Sequence, residues 1–207
     1  MIVSTFLSGL RAELSDETSK QFSDAELLGY LNTWYETIYN NLVTDESELV
    51  RTGTATITTE AGTETYATIT DLWAPYRVWV PGYEPMAHEN EAERMNYEQS
   101  DGTMRTGRPD TYYIEGTGIG FLPVPGGVYN ISVKYFPVFT PLTATSADMP
   151  FNGMFTRQIA FGVMASAKNR AGLVSAIEVS LLQLHQDISM QIMRMRRKST
   201  YQLSPGV

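Results

Sequence analysis

The residues of this chain that could do chemistry are two histidines, scattered carboxylates, a glycine-rich loop, a run of aromatic rings and a basic stretch near the C-terminus. His88 and His185 are the only imidazoles, and neither stands in a metal-ligand spacing such as His-Glu-x-x-His. His88-Glu89-Asn90-Glu91 reads as a solvated face, because adjacent residues on a helix point in different directions. His185, beside Asp187, reads as a helix-surface or interface histidine. Nucleophilic catalysis finds no cysteine and no Gly-x-Ser-x-Gly elbow; Ser8-Gly9 and Ser204-Pro205 lack a supporting pattern. Glu84, Glu91, Asp101, Asp110 and Glu115 could supply an acid/base pair, but spacing alone brings no two of them together. Gly116-Thr117-Gly118-Ile119-Gly120 lies between two strands, whereas a phosphate cradle opens a helix, so a hairpin turn is expected. No catalytic residue, cofactor or metal is therefore expected, and the chain reads as a non-enzyme.

Two features remain. Trp73, Tyr76, Trp79 and Tyr83 could stack on sugars or bases if their rings were exposed, and on nucleic acid only beside a basic groove. Packing in a core or between sheets is the expectation, with a protein–protein interface as the exception. Arg194, Arg196, Arg197 and Lys198 place +4 at the C-terminal end of a chain whose net charge is −8, leaving −12 on the remainder. A helix dipole accounts for one or two of these cations. The others fit either a solvated end or contact with an acidic partner or DNA, in a docking segment that orders on binding. An acidic body disfavours tight nucleic-acid binding, although a conduit that must not grip DNA suits this sign.

The elements positioning these residues run helices, strands, helices. Phe6, Leu7, Leu10 and Leu14 predict a short amphipathic helix over 2–14 rather than a secretory leader. After the polar loop SDETSKQFS, Ser23 and Glu26 predict a reciprocal capping box, with Phe22 stapled against Leu27. Leu27, Leu31, Trp34, Ile38 and Leu42 continue that helix to about Val43. TGTATITTEAGTETYATI then reads as a hairpin turning at Glu60–Gly62, and YRVWV as a strand. Residues 88–99 read as a short surface helix. TYYIEGTGIGFLPVPGGVYNISVKYFPV supplies three strands, joined at Gly116–Gly118 and at Pro125-Gly126-Gly127. A helix rich in small residues runs from Phe151 to Ala171, with a break at Gly172. Val174, Ile177, Leu181, Leu184, Ile188, Ile192 and Met195 mark a last helix.

The predicted class is α+β: a helical bundle formed by the N- and C-terminal helices with an inserted antiparallel β-domain. The expected divisions are 1–48 for the first helices, 49–142 for the insert, 150–198 for a C-terminal helical hairpin and 199–207 for a flexible tail. At 207 residues one core with an insert is affordable in size. No run approaches the ~20 apolar residues needed to cross a bilayer.

The order FSDAELLGYLNTWYETIYNNL, GTETYATI, GRPDTYYIEGTGIGFLPVPGGVYNISVKYFP and MPFNGMFTRQIAFGVMASAKNRAG resembles the head-to-tail adaptor (connector, head-completion or neck) proteins of tailed bacteriophages, over nearly residues 1–172. Its most specific part is Gly107-Arg108-Pro109 followed by Tyr112-Tyr113-Ile114 and Phe121-x-Pro123-x-Pro125. The resemblance implies a structural virion protein at the neck, or portal vertex, assembled in the host cytoplasm. It implies a twelvefold ring of copies beneath the portal protein, a downstream tail or nozzle protein on the other side, and genomic DNA crossing the channel unbound during packaging and ejection. It places portal docking near Arg194, Arg196, Arg197, Lys198, Tyr201 and Leu203, with no membrane and no catalytic residue. A different class, a carbohydrate- or receptor-binding β-module using Trp73, Tyr76 and Trp79, needs exposed rings. A hydrolase needs a carboxylate pair that the sequence does not nominate.

Overall fold

The computed structural model describes residues 1–171 apart from 17, 48, 51, 68 and 117, together with 187 and 191. Apart from 187 and 191, the expected last helix lies outside the described residues, as do the break at Gly172, His185 and the basic segment Arg194, Arg196, Arg197, Lys198, Tyr201 and Leu203. The chain is mixed α+β and divides into two compact units: Met1–Val50 with the chain after Val138, and Arg51–Val138.

In the first unit, helix α1 spans Val3–Glu13. Ile2 offers no side-chain cap, so the leading donors find carbonyls elsewhere: the Val3 N–H donates to Ala147 and the Ser4 N–H to Thr145, both at 2.8 Å. Val3, Phe6, Leu7 and Leu10 are buried, and Arg11 among them is only 7% exposed. Arg11 donates to Asp16 at 2.9 Å, to the Phe22 carbonyl at 2.8 Å and to Asp24 at 2.6 Å. Asp16, itself buried, also accepts the N–H groups of Lys20, Gln21 and Phe22. The polar loop after α1 is thus wound around one carboxylate.

These donors, the Gln21 N–H foremost, hold the Asp16 carboxyl below its ordinary pKa. A depressed folded value means that its contribution is complete above the unfolded carboxylate's pKa and is lost as pH falls through the folded one. Wild-type thermal stability should decline below roughly pH 4, and Asp16→Asn should flatten that acid limb. Equal slopes for the two proteins in a Tm-against-pH series would contradict the role given to Asp16.

Helix α2 spans Asp24–Thr44. The Ser23 hydroxyl accepts the Glu26 N–H at 3.2 Å, and Asp24 and Glu26 in the first turn meet the positive helix end. The expected reciprocal bond from Glu26 to Ser23 is not made. The Glu26 carboxylate instead receives the Tyr30 hydroxyl at 3.1 Å and pairs with Arg170.

Helix α3, Thr156–Arg170, begins five residues after the expected Phe151. Phe151 and Gly153 sit at φ +52° and +77°, which confines Pro150–Gly153 to a separate 3-10 turn. α2 packs on α3: the Trp34 indole N–H donates to the Ser166 hydroxyl at 3.1 Å, and Gly162 leaves room for the Trp34 ring. The Asn32 side chain takes both backbone groups of Leu142, accepting its N–H at 2.8 Å and donating to its carbonyl at 2.9 Å.

Among the described residues the second unit holds nine strands: β1 Gly53–Thr58, β2 Thr65–Ala67, β3 Leu72–Trp79, β4 Ala87–His88, β5 Thr106–Gly107, β6 Thr111–Glu115, β7 Gly118–Leu122, β8 Val124–Pro125 and β9 Asn130–Pro137. One sheet has the order β1-β9-β3, a second β2-β7-β6-β4, and β5 pairs with β8. Val78, Ile131, Val133 and Tyr135 from the first sheet join Tyr112, Ile119 and Phe121 from the second in one apolar core. Pro75 is accommodated because β3 is an edge strand with register shifts at Leu72/Ala74 and Pro75/Arg77.

The strand pairing corrects the sequence reading at three points. β1 and β2 do not form a hairpin; they enter different sheets, pairing with β9 and β7. The turn between them closes on Tyr66, whose hydroxyl accepts the Glu60 N–H and lies 2.9 Å from the Thr63 carbonyl. The Pro125–Gly127 turn likewise carries the chain from one sheet to the other instead of pairing β7 with β9. The sheets are not wholly antiparallel, since β4 runs parallel to β6 and β5 to β8. The expected hairpin at Gly116 is present, joining β6 to β7 with Gly116 at φ +56°. The short helix near 88–99 is a 3-10 helix over Glu91–Tyr97, and His88 belongs to β4.

Candidate functional site

The Gly-Arg-Pro and Pro-x-Pro segments meet at the β5–β8 pair. Val124 donates its N–H to the Arg105 carbonyl at 2.9 Å, and Gly126 donates to that of Gly107 at 2.8 Å. A Cβ on Gly126 would stand 3.3 Å from the Gly107 nitrogen, a tight contact that the two backbones would have to relieve by a few tenths of an ångström. Tyr113 is fully buried and lies across Gly120, where any Cβ would overlap its ring. Its hydroxyl donates to Glu64 at 2.7 Å, and the other Glu64 oxygen accepts from Arg94 at 2.7 Å.

Burial tends to raise the Glu64 pKa, but hydrogen bonds from Arg94 and Tyr113 outweigh it and hold the carboxyl below its ordinary value. Burial above all, with the Glu64 carboxylate beside it, pushes the Tyr113 phenol up to about 12. Both groups keep their ordinary charge states at neutral pH. Glu64 is occupied by two donors, so this cluster ties the 3-10 helix to β6 and to the turn before β2.

The aromatic run departs from expectation. Core packing is not observed: Trp73 is 55% and Tyr83 54% exposed, Tyr76 is exposed, and Trp79 is partly buried. With Val78 on the core, strict alternation already turns Trp73 and Trp79 outward and would turn Tyr76 inward; the register shift between Pro75 and Arg77 falls at Tyr76, which is exposed. Three of the rings carry a cation: Arg108 lies 4.0 Å from the Tyr83 centroid, Lys134 5.2 Å from Tyr76 and Arg77 5.4 Å from Trp79. These cations were missed in the sequence reading, although Arg77 alternates with the aromatic residues and was visible there.

His88 is exposed, with its ring edge against Tyr112 at 5.1 Å. Among the described residues no group of three His, Asp or Glu side chains could hold a metal. Glu84, Asp101, Asp110 and Glu115 are exposed, and Asp101 accepts both the N–H and the hydroxyl of Thr103. In the first unit an open groove of about 600 Å³ runs between α1 and α3, with Phe6, Leu10, Phe161 and Met164 in its lining and Glu13 and Arg157 among the polar residues there. No helix among the described residues is long and apolar enough to cross a membrane.

These features define a mixed α+β protein of two compact units. The SU10 adaptor protein family matches residues 1–169, and the chain belongs to that family of phage head-to-tail adaptors. No curated protein matches the chain.

Proposed function

We propose that this chain is a non-enzymatic virion subunit that forms a twelvefold ring at the neck, between the portal protein and the downstream tail or nozzle protein, and continues the DNA channel. The family match over residues 1–169 carries this reading. The packing of α2 on α3 supports a bundle built from 1–48 and 150–198, with 49–142 as the insert. The acidic balance of the body suits a wall past which DNA slides unbound during packaging and ejection. Docking to the portal falls to the basic end, through Arg194, Arg196, Arg197, Lys198, Tyr201 and Leu203, as the subunits assemble in the host cytoplasm. Imaging purified chain mixed with portal rings tests the assignment. A ring of density on the tail-facing end is expected, and bare portals at saturating chain would overturn it.

A second reading draws on the exposed Trp73, which has the free ring that a carbohydrate- or receptor-binding module requires. It is the weaker one, because the faces of Tyr83, Tyr76 and Trp79 are already attended by cations. Glycan-dependent quenching of tryptophan fluorescence that Trp73→Ala abolishes would favour it.

A further inference from the structure

Residues directly opposite one another in neighbouring strands share a face of the sheet. In the β1-β9-β3 sheet the register aligns Thr54, Lys134 and Arg77 in one row, and Thr56, Ser132 and Trp79 in the next. The intervening row, Ala55, Val133 and Val78, packs on the core. The opposite, outer face therefore presents hydroxyls, an indole and two cations, and none of these three strands contains a carboxylate. Among the described residues neither Arg77 nor Lys134 has an ion-pair partner. Each lies beside an aromatic ring, Arg77 exposed next to Trp79 and Lys134 half-buried next to Tyr76, and a cation over a ring face keeps its hydrogen-bonding capacity for another partner.

The same unit carries a segment of opposite charge, in which Glu84 and Glu98 are exposed. Residues 84–101 contain six carboxylates (Glu84, Glu89, Glu91, Glu93, Glu98 and Asp101) and one arginine, a net charge of −5. That arginine, Arg94, is engaged by Glu64, outside the segment. The whole of Arg51–Val138 has 11 carboxylates and 6 cations, also a net −5, so the excess acid of the unit is concentrated in this one segment. DNA is disfavoured as the occupant of the cationic face, because the unit as a whole repels a polyanion. An acidic protein segment that docks locally fits it.

We infer that the outer face of the β1-β9-β3 sheet binds residues 84–101 of a second copy of this chain. The contact joins two different patches, so it repeats head to tail and closes when the rotation permits a ring. It rests on the ring reading of the proposed function and adds to it that the β-units take part in the lateral contact. Arg77 and Lys134 supply the cationic side, and Glu84 and Glu98 belong to the acidic side.

The test uses two full-length charge reversals. One carries Arg77→Glu with Lys134→Glu, and the other Glu84→Lys with Glu98→Lys. Sedimentation at low ionic strength should show the wild-type chain self-associating, and added salt should weaken this. Each reversal alone should associate on the order of 100-fold more weakly. An equimolar mixture should recover association, because each variant then meets its complement on both sides. Recovery also shows that the variants are folded. A wild-type chain that stays monomeric at low salt, variants that associate like wild type, or a mixture that fails to recover while both variants keep native circular dichroism would each overturn the proposal. Portal binding is scored separately. Rings on the portal that tolerate both reversals would sink this contact and leave the adaptor reading standing, whereas charge-dependent association without portal binding would do the reverse.

Discussion

Gly162→Leu is expected to destabilise the chain by roughly 3 kcal/mol or more, the upper part of the range for overpacking a filled interior. Gly162 is buried on α3 beneath the Trp34 ring, where even a Cβ would overlap the indole. The ring has little freedom to retreat, since its N–H is held by Ser166, one turn further along α3. The chain must therefore separate α2 from α3 or distort one of them. Against a total stability of about 5–15 kcal/mol, this is a large loss, equivalent to a fall in Tm on the order of 10 °C for a chain of this size. Gly29→Ala is the matched control. Gly29 is exposed on α2 with nothing within 4 Å of a built Cβ, so alanine there should stabilise by about 0.5–1 kcal/mol. Thermal melts of the three proteins check both signs, and an unchanged Tm for Gly162→Leu would contradict the packing of α2 on α3.

The second large effect is on assembly. Removing residues 194–207 should leave the melting transition near its wild-type value, because the bonds holding α1, α2 and the strands join residues before that point. Affinity for the portal should nevertheless fall on the order of 100-fold at low salt, through loss of four cations and the apolar Tyr201 and Leu203 side chains. The remaining affinity should depend less on ionic strength than that of the full chain. A titration of portal rings with both proteins at two salt concentrations reads out both effects. Undiminished docking by the shortened chain would remove the assignment of Arg194, Arg196, Arg197, Lys198, Tyr201 and Leu203 without touching the fold.

What was legible in the sequence follows from the range of the interactions involved. α2 could be read because its determinants are local: Ser23 as cap, then Leu27, Leu31, Trp34, Ile38 and Leu42 at helical spacing. The β6–β7 hairpin was legible for the same reason, with Gly116 supplying the positive φ its turn requires. Strand partners were not legible, since alternation marks a strand without naming its neighbour. β1 pairs with β9, more than 70 residues on, although β2 lies just past a turn. Arg11 looked like an interruption of an apolar face, and only folding brings Asp16, Asp24 and the Phe22 carbonyl around it. Exposure of Tyr76 goes with a register shift between Pro75 and Arg77 that leaves no mark in composition. The cationic sheet face required both register and partner, so it became visible only once β1, β9 and β3 were placed side by side.

Assembly onto the portal is the claim on which the functional account stands. Native mass measurement of purified portal rings, before and after addition of the full-length chain, tests it most directly. The account predicts a single added mass equal to about twelve chains per portal ring, following the resemblance to head-to-tail adaptors, and no further growth at excess chain. A portal whose mass does not change, or one that takes up chains without a fixed stoichiometry, would contradict it.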